Sequence, residues 1–198
     1  MNMKIGEAQQ IYRSQVKAYQ EQKSAVSKQL QNVRARMEHS TVNREQYEKE
    51  AATLELTLDA LKGKQEEYQD YLDKLAEQYC AYWNATVADQ QADAAKEYTI
   101  NLGKIMEVAR RIMRGGIVPA ADEKKLMEYS RELYQAAKNI GSLVQHGKKE
   151  KYKSLWDDDE KKKEYDDPQE VAENAEASTG GPAIVDVAET MASVAPQE

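Results

Sequence analysis

Phenylalanine is missing altogether from the 198 residues, and the chain has one cysteine, two histidines and four prolines. Each shortage closes off a kind of chemistry. A single cysteine, Cys80, excludes an intramolecular disulfide and any cysteine-pair zinc site. His39 and His146 fit no metal motif. A di-iron bundle wants Glu three residues before His, and here those places hold Arg36 and Leu143. No run of 18 apolar residues exists, so no membrane span is expected. The first fifteen residues, MNMKIGEAQQIYRSQ, lack the apolar core of a signal peptide, which makes a cytoplasmic location the expectation.

Two local motifs could suggest chemistry, and both fall short. GSLVQHGKKE, from Gly141, has the glycines of a phosphate loop at the wrong spacing, follows Lys148 with Lys149 and comes after a helix rather than a strand. Cys80, in EQYCAYWNA, has no evident base beside it to make it a nucleophile. No catalytic residue, cofactor or metal is therefore assigned, and the chain reads as a non-enzyme.

What is present is charge and tyrosine. Charged residues make up 32% of the chain, and tyrosine occurs 12 times. A tyrosine can lie half-buried at a seam with its hydroxyl in a polar setting. That suits shallow helix interfaces better than a thick core. The net charge is −7, and the part after Tyr165 holds eight acidic residues with no lysine or arginine. The rest is close to neutral and finely mixed, which argues against a nucleic-acid groove. The run Lys148, Lys149, Lys151, Lys153 is followed at once by Asp157, Asp158, Asp159 and Glu160.

Apolar periodicity predicts the helices. Ala8, Tyr12, Val16, Tyr19, Val26, Leu30, Val33 and Met37 alternate at about three and four residues, with Lys23 in the one missing slot. A second helix is marked by Tyr47, Leu54, Leu61, Tyr68, Leu75 and Tyr82 at steps of seven. Ala51, Leu58, Gln65, Leu72 and Tyr79 lie between them. The expected architecture is all-α and elongated: an antiparallel coiled-coil hairpin over 1–83 (helices about 5–38 and 43–83), a helical linker or hinge at 84–94, and a second, shorter hairpin over 95–147. The second hairpin turns at Gly115 and Gly116, and Pro119, Asp122 and Glu123 open its last helix. A charged helix extension over 148–165 and a disordered acidic tail over 166–198 complete the expectation.

Two apolar groups in the charged C-terminal third are candidate partner-binding residues. Tyr152, Leu155 and Trp156 share a face if the last helix continues past Gly147. SLWDDDE resembles tryptophan-acidic peptides that dock into helical-repeat receptors; the alternative is a last turn that packs back on its own hairpin. Ile184, Val187 and Met191 share a face of a short helix within the tail. The functional expectation is an interaction protein (scaffold, adaptor or assembly factor) that binds partner helices on another protein or a second copy. The alternative is a cytoplasmic secretion or flagellar-export chaperone, which rests on analogy of fold alone.

Overall fold

The computed structural model describes residues 3–39, 43–144, 149–157, 164–178 and 180–194. His146, Gly147, Lys148, Asp158, Asp159 and Glu160 lie outside the described residues. Six helices occur among them: α1 (Ile5–His39), α2 (Arg44–Met113), α3 (Ala120–Tyr129), α4 (Arg131–Leu143), α5 (Pro168–Asn174) and α6 (Val187–Ala192). The fold is all-α, with no strand among the described residues. None of these helices is long and apolar enough to cross a membrane. The chain forms two compact units, Met1–Thr86 with Asp166–Glu198, and Val87–Tyr165.

In the first unit α1 and the first part of α2 pack antiparallel. Ile5, Ala8, Tyr12, Tyr19 and Val26 meet Leu61, Tyr68, Tyr71, Leu72 and Leu75 in one buried cluster. Leu30 and Val33 meet Ala51 in another. The two polar interruptions of the heptads face each other, Lys23 Nζ donating to Gln65 Oε1 at 2.7 Å. A paired polar slot of this kind fixes register, because a slip would leave each group opposite an apolar neighbour. Farther along, Arg34 bonds Glu55 at 2.6 Å.

The acidic tail departs from the expectation of disorder in its described residues. Helix α5 begins at Asp167, whose carboxylate accepts from Gln169 N, with Pro168 in the first turn. It lies on α1, where a Cβ on Gly6 would sit 3.3 Å from Glu173. The chain then pairs with the N-terminus. Ile5 N donates to Ala175 O at 2.9 Å and Ala177 N to Met3 O at 3.0 Å. Residues 180–186 run on as an extended strap over the tyrosines of the hairpin, and α6 follows, capped by Asp186. Composition predicts disorder because so little apolar surface is available. The strap has another resource, since its backbone groups find hydrogen-bond partners on the hairpin rather than in water.

Those partners are tyrosine hydroxyls. Tyr12 donates to Pro182 O at 2.7 Å. Tyr68 donates to Ala183 O at 3.1 Å and accepts from Val185 N at 2.9 Å, serving two residues as a neighbouring strand would. Tyr19 donates to Val185 O at 3.0 Å and shares a 2.7 Å bond with Thr190 Oγ1. Its single proton is already given to Val185, so the threonine is the donor there. The rings pack edgewise, Tyr12 with Tyr71 at 4.7 Å and Tyr19 with Tyr68 at 5.5 Å between centroids. Phenylalanine would fill the same space and satisfy none of these backbone groups.

The second unit holds α2 from Val87 onward, α3, α4 and the described residues 149–157. Here the structure decides one alternative of the expected arrangement, linker or hinge, and differs from the rest in two ways. Residues 84–94 are helical throughout, so α2 runs from one unit into the other without a break in its secondary structure; with neither proline nor glycine, that stretch has nothing to stop it. The expected last helix is two, because Ser130 is extended (φ −156°, ψ 113°) and its hydroxyl accepts from Leu133 N to cap α4. Tyr134 and Lys138 of α4 then both bond Glu123 of α3, at 2.9 and 2.8 Å. Second, residues 149–157 are not a helix extension. They run beside Ile117 as a short parallel bridge, with Ile117 N on Glu150 O and Tyr152 N on Ile117 O.

Backbone conformation explains one glycine and close approach another. Gly115 ends α2 at φ +79°, a left-handed conformation open to glycine. Gly141 lets α4 lie directly on the end of α2, since a Cβ there would run into the Ile112 carbonyl.

The tyrosine bonding gives two measurable consequences. Tyr19→Phe leaves Val185 O without a partner and Thr190 with only its 3.4 Å bond to Asp186 O, and is expected to cost about 1–3 kcal/mol in urea denaturation. Tyr82→Phe, at an exposed position, is expected to stay within about 0.5 kcal/mol. Burial raises the pKa of Tyr19, Tyr12 and Tyr71 above the usual 10.0, and for Tyr12 the neighbouring Tyr71 and Tyr68 add to it. A raised folded-state pKa favours the neutral phenol, so stability is intact below pH 10 and falls as pH climbs from there toward the folded values. Melting followed from pH 8 to 11.5 checks the sign.

Candidate interaction surfaces

Asp122 organises the candidate site of the second unit. It sits in the first turn of α3 and is 1% exposed. Its Oδ1 accepts from Ser154 Oγ at 2.6 Å and its Oδ2 from Leu155 N at 3.1 Å. Ser154 Oγ in turn accepts from Trp156 N at 3.1 Å. One carboxylate thus folds residues 154–156 into a turn, and charge-assisted bonds of this kind are the strong ones.

That turn places Trp156. Its Nε1 donates to Asn101 Oδ1 of α2 at 2.9 Å. Lys125 of α3 lies 4.0 Å from the ring centroid and Lys104 of α2 at 5.5 Å. Tyr152, Leu155 and Trp156 all pack against the cluster of Val108, Ala109, Ile112, Val118, Leu126 and Ala137. Tyr152 also stacks under Arg111, 4.5 Å from the ring centroid, and a Cβ on Gly116 would strike its ring at 2.6 Å. The three residues grouped from the sequence are therefore together. A carboxylate-held turn unites them, and they face their own core.

In the first unit the tail candidates separate. Val187 and Met191 pack against the hairpin cluster, where Gln22 Nε2 donates to Met191 Sδ at 3.1 Å. Ile184 precedes α6 and is 48% exposed. The expected single helical face is therefore split by the end of the strap, because Asp186 caps the helix at Val187.

From the sequence, the aromatic cluster Tyr79, Tyr82 and Trp83 reads as a packed junction between the two hairpins in preference to a ligand platform, whereas Tyr98 and Ile100 carry no such signal. Tyr79 packs against the hairpin cluster and stacks on Trp83 at 6.2 Å. Tyr82 is 42% and Trp83 37% exposed, and Cys80 is exposed beside them. The heptad alone treats Tyr82 as seam. In the second unit Tyr98 is 64% exposed and Ile100 is exposed on the same helix. Among the described residues no group of three or more His, Cys, Asp or Glu is placed to hold a metal ion. No protein-family model matches the chain, and no curated protein or solved structure matches it.

Asp122→Ala removes both bonds that hold the 154–156 turn. In a Trp83→Tyr background, Trp156 emission is expected to shift to the red, with a stability loss of about 1.5–3 kcal/mol from charge-assisted bonds. Unchanged emission would mean that packing alone holds the tryptophan.

Proposed function

We propose that the chain is a non-enzymatic, cytoplasmic interaction protein, a scaffold, adaptor or assembly factor that binds a helix of a protein partner along α2. One observation carries this reading. In the first unit α2 exposes Tyr82 and Trp83, and in the second it exposes Tyr98 and Ile100. A helix that leaves such residues unburied gains little from them in its own packing. Large aromatics on it are the residue types that anchor interfaces. The mixed charge of α2 favours a protein partner over nucleic acid.

The test is photo-crosslinking in the native cell, with benzoylphenylalanine replacing Tyr82 or, separately, Tyr98 in the full chain. The reading expects one dominant adduct, with another protein or with a second copy. Mass spectrometry is expected to map the crosslink to a helical segment, and Trp83→Asp to abolish the adduct at position 82. Scattered adducts of low yield at both positions would contradict it.

A further inference from the structure

The groove between α1 and α2 in the first unit is filled by the chain's own strap, and the manner of filling says what else fits. Tyr12, Tyr19 and Tyr68 give hydroxyls to Pro182 O, Val185 O and Ala183 O, and Tyr68 also receives Val185 N. These contacts read main chain, which every peptide has. The side chains of the extended part, 180–186, contribute little, and those of α6 add Val187, Thr190 and Met191. Of 180–194 only Thr190 is buried, and Ala183 and Ile184 are exposed. The one steric demand falls at Gly181, where a Cβ would run into the Tyr12 hydroxyl and come within 2.7 Å of the Tyr71 ring.

We infer that this tyrosine groove is a peptide-binding site that reads backbone, with 180–194 as its resident ligand. It takes a partner's segment of the same chemistry: an uncharged extended stretch with glycine at the Gly181 place, leading into a short helix capped by aspartate. A strap held by main-chain bonds, with so little buried side chain, opens locally as a unit while the hairpin stays folded. Opening leaves three tyrosine hydroxyls in search of carbonyls, which favours an incoming backbone over an empty groove. This surface is separate from the exposed stretch of α2 and does not depend on it.

The experiment uses the full chain carrying Gly181→Val, which expels the strap and leaves the groove intact. The probe is a fluorescein-labelled peptide of sequence 178–194. The wild-type chain holds its tail as a competing ligand at an effective concentration on the order of millimolar. The peptide is therefore expected to bind Gly181→Val at least about tenfold more tightly than wild type. Adding Tyr68→Phe, or placing Gly181→Val in the peptide, is expected to abolish binding. Equal binding to both chains, or none to a Gly181→Val chain of unchanged helicity, overturns the proposal. If Gly181→Val fails to fold, a full chain with a protease site in place of 159–162 is cut after folding. Uptake of labelled peptide with release of the cut tail supports the site, and a retained tail with no uptake overturns it. Should sedimentation show wild-type chains pairing through exchanged tails, a pairing lost in Gly181→Val, the occupant is a second copy and the partner-peptide assignment falls.

Discussion

A tyrosine hydroxyl facing a backbone carbonyl is the interaction on which the first unit depends. The C-terminal residues return after a whole second unit has been built, and they return with few apolar side chains. What they offer is unpaired main chain. Tyr12, Tyr19 and Tyr68 accept that offer, and the Tyr19–Thr190 bond carries the pairing into α6. Each such bond contributes about 0.5–1.5 kcal/mol net, and a buried partner left unpaired costs more than that. The asymmetry makes the set cooperative. Once Tyr68 holds both Ala183 and Val185, releasing one bond strands a hydroxyl in the seam. The absence of phenylalanine and the abundance of tyrosine acquire a cause, at least at these three positions.

The second unit solves a similar problem by charge. Its residues 149–157 are no more able to form a helix on their own account than the strap is. Asp122, buried at the start of α3, supplies two acceptors where the chain has donors to place, and Trp156 follows from that turn. A buried carboxylate is expensive unless its hydrogen bonds are made. Asp122 thus specifies the geometry of the turn more than it adds to gross stability. In both units an irregular stretch is fixed by polar side chains projecting from helices.

Where heptads are long, the fold was legible in the sequence. The seams of α1 and of the first part of α2 read directly, including the polar slots Lys23 and Gln65, while the register that pairs those two comes from the structure. The Gly115-Gly116 stop is equally plain. Three features were not. Ser130 breaks a helix because it has its own cap to make, while the apolar pattern on either side still runs through. The extension expected at 148–165 rests on a shared face for Tyr152, Leu155 and Trp156, and a turn around Asp122 brings the same residues together. For the tail, composition spoke louder than its local signals. Asp167-Pro168 with Glu170 is a helix start, and Asp186 before an apolar run is another. What no local signal encodes is that hydroxyls far away in the chain wait for the carbonyls between them.

Amide hydrogen exchange along 180–194 in the full-length protein tests this account most directly. Val185 N–H is held by Tyr68 and by no regular secondary structure. Its exchange should be far slower than that of an unstructured chain, and Tyr68→Phe should restore it to the free rate while the amides of α1 remain protected. Exchange at unstructured rates across the whole of 180–194 in the wild-type chain would contradict the claim that the tyrosines hold the strap.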